Sequence, residues 1–256
     1  LSRRKNSAIR KEQERYMKKT GKNELQTFYQ KYENTIEFNP QRQRKPINLL
    51  PKTPNQETYI HALLDDGIDI VVGTGPAGTG KTYLATLAAI QALRHRYCDR
   101  IILTRPAVTV DDEKHGFLPG DLNAKMEPWT KPLIDVFREF YHVKEIENML
   151  AEQIIEISPL AYMRGRTFKN AWVILDEAQN ATPSQFKMLL TRIGDNSKIV
   201  ITGDIEQSDR KKVDNGLIDL QYRLEKYPIG NLELCKFGVQ DVQRHPIIEH
   251  ILKLYE

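Results

Sequence analysis

The run Ile68-Asp-Ile-Val-Val72, Gly73-Thr74, Gly75-Pro-Ala-Gly-Thr-Gly80-Lys81-Thr82, followed by Tyr83-Leu-Ala-Thr-Leu-Ala-Ala-Ile90, decides the fold. A short apolar stretch rich in Ile and Val reads as a buried strand, and the alanine- and leucine-rich stretch after Thr82 reads as a helix. The segment between them has the spacing G-x-x-x-x-G-K-[ST] in the strand–loop–helix setting that gives this spacing its meaning. Glycines let backbone N–H groups turn inward around phosphate oxygens, and the helix N-terminus adds its dipole to the same anion. Gly75, Pro76, Ala77, Gly78, Thr79, Gly80, Lys81 and Thr82 are therefore the expected nucleotide-binding residues. Lys81 is expected to reach the β- and γ-phosphates, and the Thr82 hydroxyl to bind Mg²⁺.

Outward from this loop, further apolar runs occur at Ile101–Thr104, Ile154–Ile157, Trp172–Leu175, Ile199–Thr202 and Leu232–Cys235. Helical patterns fall near 56–65, 81–96, 123–141, 184–193, 217–226 and 246–254. This alternation predicts an α/β fold, with a mostly parallel sheet and helices on both faces. Ligands bind such sheets outside the carboxyl ends of the strands. Two further strand ends carry polar residues of the right kind. The run Trp172–Leu175 stops at Asp176-Glu177, which reads as a metal-facing carboxylate followed by one that orients or deprotonates water; two acids capping a helix are the alternative. The run Ile199–Thr202 leads into Gly203-Asp204-Ile-Glu-Gln207, where Gln207 is placed to sense the γ-phosphate and Asp204 to help position water or metal; a Gly-Asp turn with a surface glutamine is the alternative. Gln56, after Thr53-Pro54-Asn55, can pair with a donor and an acceptor of adenine, or can simply open a helix.

The 256 residues carry a net charge of +4, unevenly spread. In residues 1–45, 13 Lys and Arg face 5 Glu, a balance of +8, which leaves −4 for the other 211. A basic tail over residues 1–51 thus precedes a mildly acidic domain over 52–256. The tail reads as partly helical or disordered and suits a polyanion partner. Leu25, Phe28, Tyr29, Tyr32 and Ile36 form one apolar stripe at helical spacing, suited to docking or to base stacking beside cations. Pro40, Pro46 and Pro51 mark a linker. No apolar run approaches the length of a membrane span, and the charged start lacks the apolar stretch of a signal peptide. With only Cys98 and Cys235, neither a disulfide framework nor a cysteine-based zinc site is expected, and a reducing cytoplasm is the default.

Taken together, Thr53-Pro-Asn-Gln56, Gly75–Thr82, Thr104-Arg-Pro-Ala-Val108, Gly116-Phe-Leu-Pro-Gly-Asp121, Met163-Arg-Gly-Arg-Thr167, Ile174–Asn180, Thr202–Gln207 and Asp241-Val-Gln-Arg-His-Pro246 resemble the PhoH family of P-loop ATPases, itself similar to superfamily 1 helicases. The resemblance covers residues 53 to about 254. It implies a RecA-like domain, ATP hydrolysis with Mg²⁺, and assembly into a ring, expected to be a hexamer, acting on RNA. The family has a short Gly-Glu-Lys-Leu-type stretch before Gly116; here Thr109-Val-Asp-Asp-Glu-Lys-His115 is longer and more acidic.

Phosphoryl transfer needs charge stabilisation beyond Lys81 and the metal, and an arginine finger is worth about 10³–10⁵ in rate. Arg244 is the candidate, supplied from a neighbouring subunit because the domain has room for a single RecA-like unit; an ordinary surface ion pair is the alternative. Arg105, Arg164 and Arg166 are candidates for nucleic-acid or ATP phosphates, or for structural ion pairs. The leading expectation is an ATP-hydrolysing, helicase-like motor on single-stranded nucleic acid, with RNA favoured. The alternative is an ATP-gated RNA-binding ring with little turnover, against which Glu177 and Gln207 argue. A small-molecule kinase would need an arginine-rich lid, and none is identified.

Overall fold

The computed structural model describes residues 45–106, 131–208 and 214–243. The basic tail through Arg44, the segment with Gly116–Asp121, the helix expected at 246–254 and Arg244 lie outside the described residues. All described residues belong to one compact unit, Lys45–Glu256.

The strands are β1 (Ile70–Thr74), β2 (Arg100–Thr104), β3 (Ile155–Ile157), β4 (Ala171–Leu175), β5 (Lys198–Gly203) and β6 (Leu232–Lys236). They form one sheet in the order β3-β2-β4-β5-β1-β6, with every pairing parallel. The helices are α1 (Pro54–Leu64), α2 (Lys81–Arg94), α3 (Val143–Ala151), α4 (Pro183–Leu190) and α5 (Gly216–Lys226), and residues 131–138 are also helical. The α/β class expected from the alternating runs is the one observed.

Side-chain alternation along the strands feeds two apolar layers. Val71, Ile101, Leu103, Trp172, Ile174 and Val200 face one cluster, with Tyr59 and Leu63 of α1 and Ala85, Ala88 and Ala89 of α2. Val72, Ile102, Val173, Leu175, Ile199 and Ile201 face the other, with Phe186 and Leu189 of α4 and Leu217 of α5. Both faces of the inner strands are therefore covered, which is why β1, β2, β4 and β5 read as largely continuous apolar runs. Ile47 and Leu49, ahead of α1, pack on the first cluster. All five residues of β4 are buried. Each of its large side chains contributes about 1.5–3 kcal/mol by leaving water. A carboxylate cannot follow them into the sheet without a large desolvation cost, so the strand ends at Asp176.

The topology positions the site. Strand β5 lies between β1 and β4, so its tip at Thr202–Gly203 separates the phosphate loop from Asp176 and Glu177. Backbone bonds tie these tips together: Gly75 N–H donates to Gly203 O (3.2 Å), Asp176 N–H to Thr104 O (3.0 Å) and Phe237 N–H to Thr74 O (2.8 Å). Among the described residues no helix is long and apolar enough to cross a membrane.

Candidate nucleotide site

The loop after β1 is built around carbons that have no room for a side chain. A Cβ at Gly75, where φ is +142°, would lie 2.3 Å from the carbonyl oxygen of Phe237. Gly80, at φ 82° and ψ 7°, caps α2 without a side-chain hydrogen bond, so no cap side chain occupies the first-turn N–H groups of α2. Lys81 is buried, and its Nζ donates to Gly75 O (2.7 Å), Pro76 O (2.7 Å) and Thr79 Oγ1 (3.1 Å). Burial lowers the pKa of this ammonium, while Asp204, Asp176 and Glu177 pull in the other direction. The loop thus curls around a cation whose neighbours beyond it are carboxylates.

Thr82, the second residue of α2, donates its hydroxyl to Asp176 Oδ1 (2.8 Å). Thr202 at the tip of β5 donates to the same oxygen (2.7 Å). A cluster of hard oxygen donors at the mouth of a phosphate loop fits a magnesium ion, so Thr82 and Asp176 are the residues suited to hold one. Glu177 has φ 52° and ψ 42°, a left-handed conformation rare for a residue with its side chain. Such strain costs on the order of 1–3 kcal/mol and persists where the surroundings enforce it. Two neighbours hold its carboxylate here. Gln179 Nε2 donates to Oε2, and Arg105 Nη2 lies 3.4 Å from Oε1.

Gln179 and Asp204 form a link that the sequence reading did not identify. Gln179 is fully buried, and its Oε1 accepts from Asp204 N–H (3.1 Å). Asp204 is also buried, and its Oδ2 accepts from Ala77 N–H in the phosphate loop (3.0 Å). A continuous set of hydrogen bonds therefore runs from Glu177 through Gln179 and Asp204 to Ala77. The residue order Asp-Glu-Ala-Gln-Asn was visible in the sequence, but its pairing with Asp204, 25 positions on, depends on β4 and β5 being neighbours.

The resulting cleft, about 260 Å³, is lined by the loop, Lys81, Thr82, Asp176, Glu177, Asp204 and Gln207, and also by Tyr83, whose hydroxyl donates to Glu139 (3.3 Å). The fold thus brings Gly78, Gly80, Lys81, Thr82, Asp176, Glu177 and Gln207 together. Gln56 stands behind the loop instead: Nε2 donates to Thr79 O (3.0 Å) and Oε1 accepts from Lys52 N–H (2.7 Å). Arg105 pairs with Glu177. Arg166 forms a two-pronged pair with Glu156 of β3, with Nη2 to Oε2 at 2.8 Å, and its guanidinium lies 5.3 Å from the Phe168 ring centre. Arg164 is exposed. Gln243 N–H donates to Gly78 O (2.8 Å), so the chain just before Arg244 is hooked to the phosphate loop. Asp241 anchors the same segment: it is buried and accepts from Asn55 Nδ2 (2.7 Å) and Gly238 N–H (2.8 Å). The free thiols Cys98 and Cys235 are buried and each is pushed up to about 12, chiefly by that burial.

A phosphate loop after β1, a hydroxyl–carboxylate pair across β5 and a parallel sheet behind them define a P-loop ATPase architecture. The sequence profile described as PhoH-like protein matches residues 48–256, and the chain belongs to that family. It is 44% identical over 241 residues to a PhoH-like protein of Bacillus subtilis, covering 94% of this chain and 73% of that one. It is 46% identical over 205 residues to a PhoH-like protein of Synechocystis, covering 80% and 61%. Over 210 residues it is 40% identical to the Escherichia coli protein named PhoH, covering 81% and 58%. The chain therefore spans only about three-fifths of the latter two relatives. Among solved structures, Pif1 helicase from Candida albicans aligns at a TM-score of 0.37 and 15% identity, over 81% of this chain and 44% of that one. A SWI2/SNF2 ATPase core from Sulfolobus solfataricus in complex with double-stranded DNA aligns at 0.39 and 14%, over 63% and 34%. At such TM-scores these two likenesses add nothing to the reading of the site.

Proposed function

We propose that the chain binds ATP with magnesium in this cleft, hydrolyses it, and uses turnover to move or remodel single-stranded nucleic acid, RNA in preference. The observation that carries the reading is the convergence of Lys81, the Thr82–Asp176 pair and Glu177 at one mouth. In the reaction, water oxygen bonds to the γ-phosphorus as the bond to the β,γ-bridging oxygen breaks, leaving ADP, phosphate and a proton. Lys81 and the inward N–H groups of the loop hold the phosphate oxygens and the charge that shifts to the leaving group. Thr82 and Asp176 would hold magnesium, which would supply charge neutralisation for the phosphates. Glu177 orients the water and accepts its proton, Gln207 senses the terminal phosphate, and Asp204 fixes the loop through Ala77.

Among the described residues the arginine that reaches a lining residue of the cleft is Arg105, and it is paired with Glu177. Arg244 is the proposed finger, delivered by a neighbour in a homo-oligomeric ring, with a hexamer as the expected size. The +8 balance of residues 1–45 supports a polyanion as the partner. A second reading, ATP-gated RNA binding with little turnover, is favoured by the engagement of both Glu177 oxygens. Phosphate release from Mg-ATP, with and without a single-stranded RNA oligomer, measured beside the solution mass, separates the two. RNA-stimulated release by a ring supports the motor. RNA binding that requires ATP but proceeds without release supports the gated ring. No release and no binding refutes both.

A further inference from the structure

The ion pair between Arg105 and Glu177 has the geometry of a brake. Glu177 serves hydrolysis only if one carboxylate oxygen faces the attacking water. Its Oε2 is held by the buried Gln179, which is itself locked to Asp204. That bond fixes the carboxylate plane and has no reason to break during turnover. Oε1 is the oxygen left to meet water, and Arg105 Nη2 stands 3.4 Å from it. A guanidinium there stands where the attacking water would have to meet this oxygen.

The pair sits where it can be exchanged. The two side chains are 27% and 33% exposed, so the contact is neither sealed nor desolvated enough to be strongly held. Arg105 directly follows β2, and its carbonyl accepts from Leu160 N–H (3.2 Å) at the start of the short turn Leu160–Met163. That turn presents Tyr162, 60% exposed, and leads to the exposed Arg164. Two arginines and an aromatic ring therefore lie along one rim at the carboxyl ends of β2 and β3. Their chemistry suits a flexible phosphodiester chain: cations for the phosphates and a ring face for a base. A carboxylate partner would supply the charge but would leave Tyr162 without a planar group to stack on.

We propose that a single-stranded nucleic-acid backbone docks along Arg105, Tyr162 and Arg164, and that its phosphate draws the Arg105 guanidinium off Glu177, freeing Oε1 for water. Arg105 is then a positioning residue that makes hydrolysis depend on the strand. The inference rests on the proposed ATPase reading and adds the route by which the strand controls it.

The test compares steady-state phosphate release by the full chain and by Arg105→Gln, with and without a 20-nucleotide oligo(U), and tracks kcat and KM for Mg-ATP separately. In Arg105→Gln the RNA-free kcat rises about fivefold, the scale of a partly exposed ion pair. KM for Mg-ATP stays within about twofold, and addition of oligo(U) produces little further increase. Arg105→Lys, which keeps the charge but not the fork, retains a low RNA-free rate and so separates release of the brake from damage to the fold. Arg164→Ala and Tyr162→Ala each raise the oligo(U) concentration needed for half-stimulation. A lower or unchanged RNA-free kcat in Arg105→Gln, or stimulation equal to wild type, overturns the inference while leaving the ATPase reading intact. Absence of phosphate release, or of oligo(U) stimulation, in the wild-type chain itself overturns the proposed function and the brake with it.

Discussion

Replacing Gln179 by Met keeps the length and most of the volume of the side chain but removes both of its hydrogen bonds. Asp204 N–H, now paired with Gln179 Oε1 at 3.1 Å, is left without a partner beside a buried residue. An unsatisfied buried donor costs about 1–3 kcal/mol. For a unit of this size each kcal/mol corresponds to about 2–4 °C, so thermal denaturation should begin about 2–12 °C lower. The kinetic effect is separate. Glu177 loses the amide that orients Oε2, and Asp204 loses part of the support that places it against Ala77. Misplacement of a reacting group by about 1 Å costs up to about 100-fold, so kcat should fall about 10- to 100-fold. Lys81 and Thr82 make no contact with the Gln179 side chain and the loop feels the change only through Asp204 and Ala77, so KM for Mg-ATP should move by less than about threefold. Thermal melts and steady-state phosphate release on the same preparation report both numbers. A variant that melts and turns over like wild type would refute the link from Glu177 to the phosphate loop. A rise in KM at constant kcat would show that Gln179 serves binding instead.

Two other substitutions probe the frame of the site. In Gly75→Ala, the new Cβ meets a backbone oxygen that cannot swing away, at a φ that strains any side chain. Titration with a Mg-bound, non-hydrolysable ATP analogue should show affinity reduced at least about tenfold; unaltered affinity would mean that the loop geometry is not required. Asp241→Asn tests the anchor of the segment before Arg244. Burial raises the pKa of this carboxyl, but Asn55, Thr53 and the Gly238 N–H outweigh that and hold it below its ordinary value. The stabilisation is therefore complete above the unfolded-state pKa of about 3.9 and disappears as pH falls through the lower folded-state value. The variant should be less stable by about 1–3 kcal/mol from pH 5 to 8, with the gap to wild type closing below about pH 4. A gap that persists unchanged to pH 2 would remove the charge of Asp241 from the explanation.

The parts of this molecule legible in the sequence are those set by local pattern. The phosphate loop needs glycines and a Lys-Thr pair at fixed spacing, and the fully buried strand β4 must be apolar until its last residue. All six strands lie within a residue or two of where the sequence places them; for β1, β2, β4 and β5 burial on both faces leaves little freedom of composition, whereas the edge strands β3 and β6 are only partly buried. Helix α3 was not expected. Only Ile146 in it is fully buried, and its start relies on Glu145 accepting from His142 N–H (2.9 Å) rather than on a common capping residue. The long-range pairings were also invisible. Arg105 meets Glu177, and Gln179 meets Asp204, only because the order β2-β4-β5 sets three strand tips side by side. Gln56 shows the same limit: its amide could pair with adenine or simply open a helix, and the fold puts it in the first turn of α1 with both ends of the amide bonded within the chain.

The cradle itself is tested by calorimetric titration of the Mg-bound, non-hydrolysable ATP analogue into the wild-type chain and into Lys81→Met. Wild type should bind one nucleotide per chain, and AMP should fail to displace it, because the grip is on the terminal phosphates. Loss of the ammonium should weaken binding by about 10- to 150-fold, the value of a charge-assisted hydrogen bond of about 1.5–3 kcal/mol. Equal affinity in the two proteins, or displacement by AMP, would place the nucleotide somewhere other than the loop after β1.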